Sequence, residues 1–248
     1  MTATRIDLNA DLGEGVGDDA AMLSLVTSAN IACGGHASDP DLMFATLRLA
    51  ADRGVAIGAH PGYPDRKNFG RTAIPMAPDA IARMVAAQVG ALQGVAALAG
   101  ARVRYIKAHG ALANLAADDR AVADAIAAVA RASGLALLAI SGTELQAAGV
   151  AAGIPTDAEI FADRAYLATG RLVPRSHPQA MIHDANEALT RLISVLETGL
   201  MPVIDGPPIH LAARSICIHG DSPGAVAMAR TIRDGLTARG IALAPFLP

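Results

Sequence analysis

Short apolar runs rich in β-branched residues alternate along this chain with longer stretches of helical periodicity, and no other feature constrains the fold as strongly. Repeated strand–helix–strand units pair their strands in parallel, because each crossover brings the chain back to the same end of the sheet. Seven strands are read, at residues 5–11, 28–33, 55–60, 103–109, 135–140, 158–164 and 215–221. A parallel sheet of seven strands either stays open or closes into a barrel, and the strand count alone does not separate the two.

The helices carry their own punctuation. Asp39-Pro40 supplies an N-cap and a proline for the first turn, a periodic run covers residues 42–53, and Gly54 suits a left-handed stop. Ser222-Pro223 repeats that opening and Gly240 that close. Residues 79–99 and 118–133 are also read as helical, with Gly134 and Gly199 as further stops. The proline-bearing segments 171–183 and 201–210 are read as structured loops, and no linker divides the chain. One domain is expected over residues 1–248, close to the roughly 250 residues of a single α/β barrel.

Composition bears on partners. Twenty Lys and Arg against 23 Asp and Glu leave a net charge of −3, with no basic block, so nucleic acid and acidic membranes have no electrostatic basis for binding. The apolar share of 52% against 17% charged calls for a packed core. The apolar stretch at 121–140 is broken by Asp124, Arg131 and Ser133, and no membrane span is expected. The first residues do not resemble a secretory signal, and Cys33 and Cys217 lie in apolar runs that suit reduced thiols. A cytoplasmic location is expected.

In β/α barrels the functional groups collect where the strands end. Asn9, Asp11 and Glu14 end the first strand, Asn30, Cys33 and His36 the second, and His60 the third. Lys107 and His109 end the fourth, Asp163 and Arg164 the sixth, His219 and Asp221 the seventh. One His or Asp at a strand end is ordinarily a satisfied structural group. Six strand ends with titratable side chains indicate a shared polar site, which favours the closed barrel.

Three glycine-bearing turns, at 11–15, 33–36 and 60–63, offer backbone amides to an anion. No phosphate-binding loop of the Gly-x-x-x-x-Gly-Lys type is present. Arg71, Arg171 and Arg175 supply fork-like donors for carboxylate or phosphate. Asp11, His60 and His109 are of the right types to hold a zinc-like ion, and serve equally as base, orienting partner and proton shuttle without one. The residues leave both readings open.

Asp7-Leu8-Asn9-Ala10-Asp11-Leu12-Gly13-Glu14-Gly15, Ser28-Ala29-Asn30-Ile31-Ala32-Cys33-Gly34-Gly35-His36, Gly58-Ala59-His60-Pro61-Gly62-Tyr63-Pro64-Asp65 and Ile216-Cys217-Ile218-His219-Gly220-Asp221 together resemble the LamB/YcsF family, the A subunits of bacterial 5-oxoprolinase. The likeness also takes in Lys107 to Asn114, Glu159 to Tyr166 and Gly170 to Ile182. It implies a seven-stranded, distorted β/α barrel similar to the glycoside hydrolase and sugar deacetylase group. It also implies ATP-dependent opening of the lactam 5-oxoproline to L-glutamate, together with B and C subunits. ATP, with magnesium, would enter as co-substrate, with no tightly bound cofactor.

On that resemblance Asp11 and His109 are assigned acid/base work, and Lys107 the developing oxyanion or phosphate. Arg164 or Arg175 would hold anionic substrate groups, with Asn9, Asn30 and Asp163 beside the substrate. His36 and His60 would position, and Asp221 with His219 would form a second proton-transfer pair. Gly34, Gly35 and Arg71 are assigned to the nucleotide. The chain departs from the family's Lys-Pro-His-Gly-Ala-Leu-Tyr-Asn at Ala108 and Ala113, and has Thr72 where a second arginine is common. Two other readings stand beside this one: a metal-dependent amide or carbohydrate hydrolase on the same barrel, and a non-catalytic subunit that binds a small acid.

Overall fold

A computed structural model describes residues 5–220 and 224–247. Seven parallel strands pair in chain order: β1 (Arg5–Leu12), β2 (Ser28–Ala32), β3 (Ala56–His60), β4 (Val103–Ile106), β5 (Ala136–Ile140), β6 (Thr156–Phe161) and β7 (Ser215–His219). β7 pairs with both β6 and β1, so the sheet closes into a barrel. Every strand read from the sequence is present.

Helices α1 (Asp19–Leu23), α2 (Pro40–Asp52), α3 (Pro78–Ala99), α4 (Gly110–Asp118), α5 (Arg120–Ala132), α6 (Glu144–Ala151), α7 (Ala185–Thr198) and α8 (Ala225–Ala238) surround it. The segment read as one helix over 118–133 is cut at Asp119, whose carboxylate accepts from the Ala121 and Val122 amides and starts α5 afresh. α4 opens directly at His109 and carries no sequence signal of its own. Ser222-Pro223 lies outside the described residues. The two loops at 171–183 and 201–210 are ordered by isolated bridges, Arg164 to Met181 and Tyr166 to Leu172, and by a short antiparallel ladder of Leu200–Met201 with Ile209–His210. Ala242–Leu243 pairs with Arg5–Ile6, at the end of the barrel remote from the strands' carboxyl termini.

By length and composition α3 is long and apolar enough to cross a bilayer. Here it covers the barrel: Ile81, Val85, Val89 and Leu92 are buried, and Gln88 bonds both polar groups of Gly62 at 3.1 and 2.8 Å.

Side chains alternate faces along a strand. In β1 the apolar set, Ile6, Leu8, Ala10 and Leu12, joins the main core, while Asp7, Asn9 and Asp11 bond to residues of other strands across the barrel interior. Barrel interiors usually pack branched aliphatic side chains; this one is a hydrogen-bonded polar ladder. Asp7 accepts from the hydroxyls of Thr27, Ser28 and Ser215. Asn9 donates to Ser215 at 2.6 Å and to Glu159 at 3.1 Å, and Asn30 donates to Asn9 at 2.7 Å and Asp11 at 2.8 Å. Tyr105 donates to Asn30 at 2.7 Å. Partners for each group offset the desolvation that burial costs them. Gly58 makes room for Tyr105, since a Cβ there would collide with the ring.

Candidate functional site

The ladder rises to Lys107. Its ammonium lies 2.9 Å from Asp11 Oδ1, 3.1 Å from Glu159 Oε2, 3.1 Å from Asn9 Oδ1 and 3.0 Å from Cys217 Sγ, and the residue is 3% exposed. Burial works against the charge, but Asp11 and the neighbouring Cys217 and Glu159 outweigh it and hold Lys107 well above the usual lysine range. Asp11 answers it: despite burial, His60 and Lys107 keep its carboxyl well below the usual value. Glu159 moves the other way, pushed up by burial against the pull of Lys107. The ionised pair is therefore Asp11 with Lys107, while Glu159 keeps its proton to higher pH than an ordinary glutamate.

Four further groups converge beside this pair. His60 donates from Nδ1 to the Lys107 carbonyl at 2.8 Å, and His109 donates from Nε2 to the Phe69 carbonyl at 2.8 Å. His109 Nδ1 faces His60 Nε2 at 3.0 Å. His36 stacks on His109 with centroids 3.6 Å apart, its Nε2 is 2.9 Å from Glu14 Oε1, and its Nδ1 is buried without a hydrogen-bond partner. Burial, then the neighbouring His60 ring, pushes His36 down to about 3, and burial with His60 and His36 depresses His109 well below the usual histidine value.

Across the mouth His219 donates from Nδ1 to Asp163, 2.9 Å from each carboxylate oxygen, and stacks on Phe161. Burial opposes its charge, but Asp163 raises the imidazole above its ordinary value. His219 is also the register partner of Asp11 across β1 and β7, which sets the two groups side by side.

These elements open on one cavity of about 490 Å³, lined by Asp11, Lys107, Glu159 and His219 on the barrel side and by Arg71, Arg164 and Arg175 from the loops. Arg164 is anchored by the carbonyl of Val173 at 2.6 Å, and burial together with nearby Arg175 lowers it to about 10. Arg71 lies over the Phe69 ring, 5.1 Å from its centroid. Ala113 and Ala108 also line the cavity, so small side chains widen it at both positions that depart from the family motif.

The sequence-predicted residues divide by position. Asp11, His60, Lys107, His109, Arg71, Arg164, Arg175 and His219 line the cavity. Asn9 and Asn30 sit beneath it in the ladder, and Asp163 orients His219. Asp221 lies outside the described residues. Gly34 and Gly35 do not line the cavity: the Gly34 amide donates to the Ala37 carbonyl, and a Cβ on Gly35 would meet the Gly62 carbonyl oxygen at 2.6 Å. The other two turns spend amides internally as well, Gly13 on Asp19 and Gly62 on Gln88. Their glycines answer to packing and turn geometry, contrary to an anion cradle of these amides. Arg171 also lines the cavity, but its guanidinium is bonded to Asp118 and to the carbonyls of Ala117 and Gly142. His109, with both ring nitrogens engaged, has none turned to a substrate. In the trio Asp11, His60 and His109, Asp11 belongs to Lys107, while Glu14 and His36 complete the donor cluster around the imidazoles.

Sequence reasoning missed Glu159 and Cys217 as neighbours of Lys107. Both stand at alternate positions of apolar strands, and only the polar alternation in β1 hinted that the interior was not aliphatic.

The LamB/YcsF family model matches residues 6–248. The chain is 49% identical to the A subunit of 5-oxoprolinase from Rhodopseudomonas palustris (strain ATCC BAA-98 / CGA009), over 98% of each chain. It is 50% identical to the protein of that name from Paracidovorax citrulli, covering 97% of this chain and 99% of the relative. The crystal structure of a lactam utilization protein from Thermus thermophilus superposes with a TM-score of 0.91 at 37% identity, covering 98% of this chain and 100% of that one.

Proposed function

Since this chain belongs to the LamB/YcsF family, we propose that it is the A subunit of an ATP-dependent 5-oxoprolinase, binding the lactam and opening it to L-glutamate in a complex with B and C subunits. The observation that carries this reading is the cavity, which faces an Asp11–Lys107 ion pair and an Asp163-backed His219 with the cations Arg71, Arg164 and Arg175. A small cyclic amide bearing a carboxylate fits that distribution: the arginines suit its anion, the barrel side its reacting amide.

A lactam is resonance-stabilised, and a phosphoryl group on its oxygen makes the ring carbon electrophilic. In the proposed sequence the γ-phosphoryl of ATP passes to the amide oxygen and ADP leaves. Water then adds to the ring carbon, the C–N bond breaks as the nitrogen gains a proton, and the acyl phosphate formed is hydrolysed by a second water to glutamate and phosphate. His219, fixed in one tautomer by Asp163, takes the proton of the attacking water through Nε2. Lys107 and Asp11 present fixed charge to the developing oxyanion and to the ring nitrogen. The acid/base work assigned to His109 from the sequence passes here to His219.

ATP hydrolysis and glutamate release are to be measured with this protein mixed with B and C subunits, with and without 5-oxoproline. Coupled release of ADP and glutamate supports the reading. Absence of both, with the same B and C preparation competent beside another family member, overturns it.

A further inference from the structure

Proton counting fails to close around Glu14, His36, His60 and His109. A neutral imidazole carries a single N–H. His60 spends its own on the Lys107 carbonyl and His109 on the Phe69 carbonyl, both of which only accept. The nitrogens that remain, His60 Nε2 and His109 Nδ1, are then two lone pairs facing each other at 3.0 Å. Facing lone pairs repel, so two neutral rings in this geometry need an electrophile between them, either a metal ion or an added proton. Glu14 Oε1 approaches the same point, 3.7 Å from His109 Nδ1 and 2.9 Å from His36 Nε2.

We propose that Glu14, His36, His60 and His109 form a binding site for one divalent cation of the zinc class, with a structural role. The four donor atoms all lie within 4.8 Å of one another and all four residues are buried. Bonds of about 2.0–2.2 Å in a tetrahedron place neighbouring donors about 3.4 Å apart, and the separations of 2.9, 3.0 and 3.7 Å straddle that value. Three imidazoles and one carboxylate are a zinc-type donor set. The Lys107 and Phe69 carbonyls, each taking the N–H opposite a donor nitrogen, are the outer partners that fix a metal-bound histidine's tautomer.

Two features make the role structural. Four protein donors complete a tetrahedron and leave no position for a reacting water. The donors also come from four consecutive strand ends, the loop after β1, the loop after β2, the last residue of β3 and the residue that opens α4, so the ion fastens half of the barrel mouth. Asp11, although 3.4 Å from His60 Nε2, stays with Lys107. The site shares His60 and His109 with the Asp11–His60–His109 trio but takes Glu14 and His36 in place of Asp11, and it goes beyond the proposed lactam reaction.

The test is elemental analysis of full-length protein purified without chelator, followed by stripping, refilling with Co²⁺ and Zn²⁺, and thermal unfolding of each form. Expected are one ion per chain, the intense visible bands of four-coordinate cobalt, and a thermal midpoint that rises with metal. Glu14→Gln and His36→Gln should each weaken Co²⁺ binding by about tenfold or more. The wild-type cobalt titration needs no variant and decides the matter even where a variant fails to fold. Substoichiometric metal that Co²⁺ and Zn²⁺ cannot restore overturns the proposal and assigns the facing nitrogens a shared proton. Equal binding by wild type and both folded variants also overturns it, as an adventitious ion only. Neither outcome depends on whether lactam turnover is found.

Discussion

His219 Nδ1 lies 2.9 Å from both carboxylate oxygens of Asp163, and the same imidazole is the register partner of Asp11 on the neighbouring strand. One carboxylate fixes the ring's tautomer, and the other stands next to it already paired with Lys107. The two acids thus hold different stations: Asp163 raises an imidazole's proton affinity, while Asp11 balances a buried cation.

The first prediction concerns pH. Burial opposes protonation of His219, but Asp163 prevails and raises its value in the folded protein. As a base it must be neutral, so turnover should rise with pH through a limb above the ordinary histidine value of about 6.5. The linkage has the matching sign: the stability from this pair is full below about 6.5 and fades as pH rises through the raised folded value. Asp163→Asn should move the limb to lower pH and cut kcat by about 10²-fold or more. A pH–rate profile of glutamate release checks both, and an unmoved limb removes His219 from proton transfer.

Asp11→Asn should do more than stop turnover. It keeps an acceptor for Lys107 but removes the charge, leaving the buried ammonium with Glu159, whose carboxyl burial raises above its usual range, as its remaining acidic neighbour. Breaking a buried pair this way costs about 3–5 kcal/mol. In a chain of this length, each kcal/mol corresponds to a fall of roughly 2–4 °C in the midpoint. Thermal unfolding of the purified protein measures it; a midpoint within a degree of wild type would mean that Glu159 ionises and carries the lysine alone.

Strand edges and mouth residues were readable because both rest on local signals. β-Branched runs bounded by glycine and proline mark strands, and titratable side chains at their ends mark the barrel mouth. Pairings were not readable, because they depend on register and closure. Asp163 and His219 are 56 residues apart, and Asn9 and Glu159 are 150 apart. Glu14 entered the sequence reading only as a strand-end residue, since its approach to His36 arises where two loops fold over the same point. The alternation Asp7-Leu8-Asn9-Ala10-Asp11 did announce two unlike faces, yet only closure decides that the polar one points inward. The turn glycines misled for a related reason: backbone freedom is visible in sequence, whereas the acceptor that takes each amide is not.

Substrate charge gives a third prediction. Arg175 lines the cavity on a loop and neighbours Arg164, in the place suited to the lactam's carboxylate. A charge-assisted bond is worth about 1.5–3 kcal/mol, so Arg175→Ala should raise KM for 5-oxoproline by roughly 10–100-fold with a smaller change in kcat. Turnover of 2-pyrrolidinone, the same ring without the carboxylate, should be nearly unaffected. Equal losses on the two lactams would place Arg175 in the scaffold of the loop.

The last prediction tests whether the polar ladder sets the shape of the mouth. Gly58 lies beneath His60 on β3, where the register with β4 shifts, and its missing Cβ is what admits the Tyr105 ring. Tyr105 donates to Asn30, which in turn donates to Asp11. Gly58→Ala would press a methyl into the buried Tyr105 ring, which would have to shift. Overpacking of this kind costs about 1–3 kcal/mol, and because the ring is tied through Asn30 to Asp11, kcat should fall along with stability. Pairing the change with Tyr105→Leu should remove the clash and restore part of the stability, the remainder being held back by the buried Asn30 oxygen that loses its donor, and should not restore kcat. Denaturant unfolding and steady-state turnover of the two variants separate these effects. Full recovery of both in the double variant would show that the ladder below Asp11 serves packing alone.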